Sequence, residues 1–470
     1  MKKCFPARVL TALCLLAALV LPLCALAEGE STTPSTTGSG SALVDAMHID
    51  AAAAILINAD TGEVLYEQDA HAQRFPASIT KVMTCLLTVE AVDRGELSLD
   101  KKVTVSGNLH TGIGEGGSTA DLKEGEIVSI EDLLYSALVP SANEACNVLA
   151  EAVAGDISSF VELMNQRAAE LGMADTHFAN THGYHDPNHY TSAYDVSLMC
   201  MEAMKHPTFR EIVASKSHDL PATNMHEART LHTTNALIST WRVREYYYEE
   251  ATGIKTGSTP EAGYCLASSA TRGDTDLIAV VMGGTDYKEN AETNYFTESE
   301  RLLRFGFDTF QTTAILDESE VDIAEVPVTL SNGADYVTVH PAQSIHVTLP
   351  KDMDVTAFTR TVDLPQSVEA PIQAGDKLGT ITITYRDKTY GTVDLLANSD
   401  VSRSEWLYRI DRIQKFFGLL WVRILLVVIG VAVLFLVIRR AILGKRHNRY
   451  GSSSRGSYRT KRYTGGRRRR

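Results

Sequence analysis

With 470 residues, the chain is long enough for more than one domain with a sizeable core. Of its 44 Lys and Arg, three lie in the first 27 residues and 13 in the last 32, so 28 stand against all 58 acids in between and the central part carries about −30. Such a charge excludes a nucleic-acid partner for that part.

The chain opens as an export signal. Residues 1–27 hold Lys2, Lys3 and Arg8, an apolar run from Val9 to Leu23, and Ala25-Leu26-Ala27 as a cleavage site. Cys24 follows Leu-Pro-Leu, without the small residues that precede a lipid-modified cysteine. Residues 28–44, dominated by Ser, Thr, Gly and Pro, read as a flexible linker. Cys85, Cys146, Cys200 and Cys265 are widely spaced in apolar stretches, which reads as buried free thiols rather than a disulfide framework.

From 45 to 310 the pattern mixes strands and helices. AAAAILINADTGEVLYEQDA reads as two strands joined by an Asp-Thr-Gly turn, and helical periodicity dominates Ser78–Val92, Ile130–Val153 and Ser158–Leu171. Strands return with GIKTGST, GYCLASSATR and DLIAVVMGG. The expected fold is α+β, one antiparallel sheet completed by both ends of the segment around a helical insert. From 314 to 399, short alternating strands such as SIHVTLP and KLGTITITYRD suggest a small β-sandwich. Residues 400–416, with Trp406, Leu407, Ile410 and Ile413 at helical spacing, read as an interfacial helix. Residues 417–438 read as a transmembrane helix. The acid-free tail 439–470 places itself in the cytoplasm by the positive-inside rule, beside anionic lipid.

Three stretches carry chemistry. In RFPASITKVMT, Ser78 is either an N-cap with Lys81 reaching water, or a nucleophile that shares a helix face with Lys81 at i and i+3. In the second case desolvation and the helix N-terminus lower the lysine pKa and free an amine to take the serine proton. In LVPSANEACN, Ser141 and Glu144 form a capping box, or a tight turn presents Ser141 and Asn143 toward a cleft. In GIKTGST, Lys255 is either a solvated edge charge or a fixed positive charge beside a close-approach glycine, Gly257, and the hydroxyls of Thr256 and Ser258.

Ser-x-x-Lys, Ser-x-Asn and Lys-Thr-Gly in this order resemble the active-site serine penicillin-recognising enzymes, in particular the low-molecular-mass penicillin-binding proteins that act as D-alanyl-D-alanine carboxypeptidases. The stretches LLYSALVPSANEACNVLAE, FVELMNQRAAELGM and DPNHYTSAYD support that choice, and the likeness runs from about Ala51 to Ser399. It implies a penicillin-binding, β-lactamase-like transpeptidase fold, peptidoglycan stem peptides ending in D-Ala-D-Ala as substrate, β-lactam antibiotics as inhibitors, and no metal or cofactor. It also implies Ser78 as nucleophile, Lys81 as its base and Ser141 as proton relay. Asn143 would orient Lys81 and the substrate amide, Lys255 would hold Ser141, and Thr256 and Ser258 would receive the terminal carboxylate. The backbone N–H groups of Ser78 and Ser258 would form the oxyanion hole.

Three rivals stay open. A β-lactamase would need a deacylating glutamate, for which Glu162 with Asn165 is the nearest string. A zinc peptidase would draw on His182, His185, Asp186 and His189. A non-catalytic wall-binding protein would have no use for so complete a set. Arg229, upstream of Lys255, is a candidate for holding the substrate carboxylate.

Overall fold

The computed structural model describes residues 46–444. The signal segment, the whole linker and residues 445–470 of the basic tail lie outside the described residues. The chain divides into two units, one comprising residues up to Thr313 with His346–Asp354, the other Ala314–Ile345 and Val355 onward.

The first unit is built on strands β1 (Ala51–Asn58) and β2 (Val64–Gln68), then short pairs β3 (Lys102–Thr104) with β4 (Ile127–Ser129) and β5 (Ser217–Leu220) with β6 (Arg229–His232). Strands β7 (Ala251–Thr259), β8 (Gly263–Arg272) and β9 (Thr275–Gly284) close it. Five of these form one antiparallel sheet in the order β2-β1-β9-β8-β7, so the two ends of the segment meet at β1 and β9. Between β2 and β7 the chain inserts helices α1 (Lys81–Asp93), α2 (Ile130–Leu138), α3 (Asn143–Ala154), α4 (Ile157–Glu170), α5 (Ala193–Ala203) and α6 (Pro207–Ala214). Helix α7 (Tyr295–Thr309) follows β9.

The unbroken apolar run of β1 has a physical cause, because the sheet is covered on both faces. Ile55 and Ile57 point into the core shared with α1 to α6, whereas Ala54 and Leu56 point into the core closed by Phe296, Leu302, Leu303 and Phe307 of α7. Helix α1 lies deep, with ten of its 13 side chains buried.

The chain leaves this unit along β10 (Phe310–Leu316). In the second unit β11 (Ala324–Thr329) and β12 (Tyr336–Pro341) precede β13 (Ile345–Pro350), on which the chain briefly returns. Strands β14 (Thr359–Asp363), β15 (Val368–Glu369), β16 (Lys377–Tyr385) and β17 (Lys388–Ala397) complete a six-stranded sheet in the order β14-β16-β17-β12-β11-β15. Alternate residues Val337, Val339, Ile381, Ile383, Val393 and Leu395 are buried, the sandwich-like period of two.

Helix α8 (Glu405–Gly418) exposes Trp406, Leu407, Ile413 and Phe416, and Ser404 caps it by accepting from the Leu407 N–H. The chain breaks at Leu419 and resumes as α9 (Leu420–Gly444). Residues Leu420–Ile442 are long and apolar enough to cross a membrane, and all of their side chains but that of Val422 are exposed, the pattern expected where lipid is the solvent. This apolar helix fits a membrane anchor.

Candidate active site

A single 3₁₀ turn, Ala77–Thr80, runs directly into α1 and puts Ser78 and Lys81 on one face. Ser78 is not an N-cap, since Pro76 holds that position. Lys81 is fully buried, and its Nζ donates to Ser78 Oγ at 2.8 Å, Asn143 Oδ1 at 2.6 Å and the His182 carbonyl at 2.7 Å. Burial lowers its pKa to about 8, with Glu144 acting weakly in the opposite direction. Burial also pushes the neighbouring thiols of Cys85 and Cys146 upward, so neither supplies a negative charge at neutral pH.

Ser141 stands in the turn between α2 and α3, and Asn143 opens α3. The turn is held by Ala142 N–H donating to Ser136 O at 2.9 Å and by Thr234 N–H donating to Val139 O at 3.1 Å. The capping box is not formed, because Ala142 is the N-cap and Ser141 sits at φ +71°. Glu144 instead accepts from Thr119 Oγ1 and the Ala120 N–H, each at 2.7 Å, which binds the 117–122 loop to α3. A buried carboxylate satisfies more donors this way than one backbone amide provides. Gly117 is required there, since a Cβ would come within 2.7 Å of the Asn143 amide nitrogen.

On β7, Lys255 is 1% exposed, which removes the solvated-edge reading. Burial first, and then the charge on Lys81, lower its pKa well below the ordinary lysine value. Its Nζ donates to the Thr256 carbonyl at 2.9 Å, and among the described hydrogen bonds none joins it to Ser141. Gly257 lets the strand approach the nucleophile turn, because a Cβ would lie 3.0 Å from both Pro76 O and Ser78 N. Ser258 is exposed at the end of the strand.

Thr234 escaped the sequence reading. Its hydroxyl lies 2.5 Å from that of Thr256, and the adjoining Asn235 donates to Gly253 O at 3.0 Å, so this segment fastens β7 to the α2–α3 turn. The available signal was weak, a polar trio, Thr233-Thr234-Asn235, set between Leu231-His232 and Ala236-Leu237-Ile238. Arg229 is engaged elsewhere, donating to Ala120 O at 3.1 Å and pairing with Glu126 at 3.5 Å.

The histidine segment packs beneath Lys81. His182 Nδ1 accepts from the Tyr184 N–H at 3.1 Å while Nε2 faces Thr111 O at 3.3 Å. His189 Nδ1 accepts from the Ala179 N–H at 3.0 Å, and Nε2 lies 2.7 Å from Thr80 Oγ1, which itself donates to Ala77 O at 2.8 Å. Each ring is therefore the Nε2–H tautomer with its lone pair engaged. Burial pushes both pKa values down to about 3. These donors do not fit a zinc ion, which needs free ring lone pairs. Glu162 is exposed on α4, and Asn165 spends its amide on Phe178 and Val161, so neither reaches the site.

Residues 40–286, just over half of the chain, match the family model for D-alanyl-D-alanine carboxypeptidase. The chain belongs to that family. Residues 310–403 match the C-terminal domain of penicillin-binding protein 5. The D-alanyl-D-alanine carboxypeptidase DacF of Bacillus subtilis is 30% identical over 77% of this chain and 89% of its own length. DacA of Escherichia coli is 30% identical over 89% of this chain and 99% of its own. Penicillin-binding protein 5 of Haemophilus influenzae, a solved structure, is 26% identical with a TM-score of 0.62 over 76% of this chain and 99% of that one. Family membership makes the chain a serine-type carboxypeptidase of the penicillin-binding group.

Proposed function

We propose that the chain is a serine D-Ala-D-Ala carboxypeptidase that removes the terminal D-alanine from peptidoglycan stem pentapeptides. One observation carries the residue roles: Lys81 Nζ, buried and depressed to about 8, faces Ser78 Oγ at 2.8 Å between two carbonyl acceptors. As an ammonium it donates to all three. As a neutral amine its two N–H groups stay with Asn143 and His182, and the lone pair points at the Ser78 hydroxyl.

Burial keeps the two lysines from both holding a proton with ease, so the pair shares charge near neutrality. A substrate carboxylate at Thr256, Ser258 and Lys255 draws the positive charge to Lys255 and leaves Lys81 neutral. Lys81 then takes the Ser78 proton as Oγ attacks the carbonyl between the two D-alanines. The developing oxyanion is met by the N–H groups of Ser78 and Ser258. Lys81 gives that proton to Ser141 as Ser141 passes its own to the departing amine, the C–N bond breaks, and D-alanine leaves an ester on Ser78 and a neutral Lys81. Water, deprotonated at Lys81, cleaves the ester and returns the proton to Ser78. A β-lactam enters the same path and stalls at the ester.

In this reading residues 1–27 export the chain, 28–44 link, 45–310 catalyse, 314–399 form the β-rich domain, and 400–416 lie at the interface. The span expected at 417–438 begins after the break at Leu419 and crosses a bacterial membrane along Leu420–Ile442, with catalysis on the extracytoplasmic face and the basic tail inside. The test is mass spectrometry of the protein with benzylpenicillin beside an assay of D-alanine release from a D-Ala-D-Ala peptide. A long-lived adduct on Ser78 with release of one D-alanine is expected, and Ser78→Ala and Lys81→Ala should abolish both while the fold persists. Turnover in either variant would overturn the roles.

A further inference from the structure

Among the described residues of the first unit, the most exposed large apolar side chain is Trp241, at 63%. Its indole lies flat on the His232 ring, with centroids 3.8 Å apart and planes 10° from parallel. One face of the indole is therefore covered and the other is open to solvent. The Trp241 backbone N–H donates to Ser239 Oγ at 3.2 Å, which fixes the loop that carries it.

The surface beneath is the outer face of the β5–β6 hairpin. Ser217 pairs with His232 and Asp219 with Thr230, while Leu220 and Leu231 turn inward to the core. Ser217, Asp219 and Thr230 are exposed, and Thr230 Oγ1 donates to Asp219 Oδ1 at 2.6 Å. Thr233 N–H donates to Lys216 O at 3.0 Å, and Lys216 Nζ stands 5.4 Å from the ring centre of Tyr247, a second exposed aromatic at this end of the hairpin. An open aromatic face is thus edged by short hydroxyl and carboxylate side chains.

That combination suits a sugar ring. The C–H face of a pyranose is apolar and slightly positive, which meets the negative face of an indole, while its hydroxyl and acetamido groups leave the ring edge toward hydrogen-bonding partners. An anionic polymer would meet Asp219 and the charge of about −30 on the central part of the chain. The face also adjoins the cleft. His232 is two residues before Thr234, at most about 7 Å along an extended chain, and the Thr234 hydroxyl lies 2.5 Å from that of Thr256.

Resting on the carboxypeptidase reading for the identity of its occupant, we propose that Trp241 and the outer face of β5–β6 bind the glycan of peptidoglycan, an uncharged chain of N-acetylated sugars. A glycan seated there holds stem peptides beside Ser78. Their capture becomes an intramolecular event, and the effective substrate concentration rises without any new contact in the cleft.

The test uses the full chain in a detergent without a sugar headgroup, with chitohexaose as probe. Of the three tryptophans, Trp406 and Trp421 lie in α8 and α9, so a change in emission that Trp241→Ala removes belongs to this face. Chitohexaose should shift the emission saturably, with a Kd of about 1 mM or tighter. D-alanine release is then compared on uncrosslinked glycan strands bearing pentapeptides and on the free pentapeptide. The ratio of the two rates should fall about fivefold in Trp241→Ala and hold in Trp241→Tyr, which keeps an aromatic face. No emission shift with chitohexaose, a shift with polyphosphate in its place, or a ratio that Trp241→Ala does not move would overturn the proposal. No D-alanine release from either substrate, with the shift intact, would overturn the carboxypeptidase reading and leave the sugar binding standing.

Discussion

Gly183 packs directly on the carbonyl of Ala77, the residue before the nucleophile, at φ +82°, and a Cβ at that position would overlap the carbonyl oxygen. The loop that supplies the His182 acceptor is thus seated on the turn that aims Ser78. Gly183→Ala combines a backbone clash with a left-handed φ, and should destabilise the first unit by about 2–4 kcal/mol. Chemical denaturation checks the loss, and benzylpenicillin acylation should slow in the surviving folded fraction.

The pH profile reports on Lys81. With its pKa at about 8, kcat/KM should climb about tenfold per pH unit below that value and level off above it. The same depression has a stability sign. The unfolded lysine keeps its proton to about 10.5, so between about 8 and 10.5 the unfolded state binds more protons and stability rises with pH. That gain, about 3 kcal/mol in full, is absent below pH 8. Acylation rates and denaturation midpoints from pH 6 to 10 check both halves; a flat acylation profile would remove Lys81 as the base.

Glu144→Gln removes the carboxylate that opposes the depression of Lys81 and weakens the hold on Thr119 and Ala120. The acylation inflection should move to lower pH, a change that loosened packing alone does not produce.

Thr234→Val deletes the hydroxyl that holds Thr256 at 2.5 Å. With the carboxylate-binding hydroxyl released, KM should rise about tenfold and kcat should change less. Steady-state kinetics on a D-Ala-D-Ala peptide separates the two constants.

A chelator should leave D-alanine release unchanged, because the ring nitrogens of His182 and His189 are engaged inside the protein. Loss of activity with EDTA, restored by zinc, would refute the tautomers assigned above.

The sequence made the helical insert and the two-ended sheet readable, since β1 and β9 are apolar runs bounded by turns and α1 carries its lysine where no ordinary amphipathic helix would. Ser78 and Lys81 were legible because i and i+3 is a local relation, and Asn143 came with its neighbour Ser141. Long-range relations were not. Glu144 fits a capping box by spacing, yet its carboxylate finds donors more than twenty residues upstream. Thr234 and the His182 carbonyl act through partners 22 and 101 residues away, and no local pattern encodes such distances. The break at Leu419 separates α8 from the span, a detail that a continuous apolar run conceals.

The backbone at Ala77 and Ser141 adopts left-handed φ values of +47° and +71°, although neither residue is glycine. Each such residue costs about 1–3 kcal/mol. Both hydroxyls of the catalytic pair are thus presented by a backbone held out of its relaxed state, one immediately before Ser78 and the other at Ser141 itself. Replacing Ala77 with glycine would relieve that tension and tighten folding. It would also widen the arc through which Ser78 swings, and an enzyme whose ester must form at one oxygen would lose rate as it gained thermal endurance.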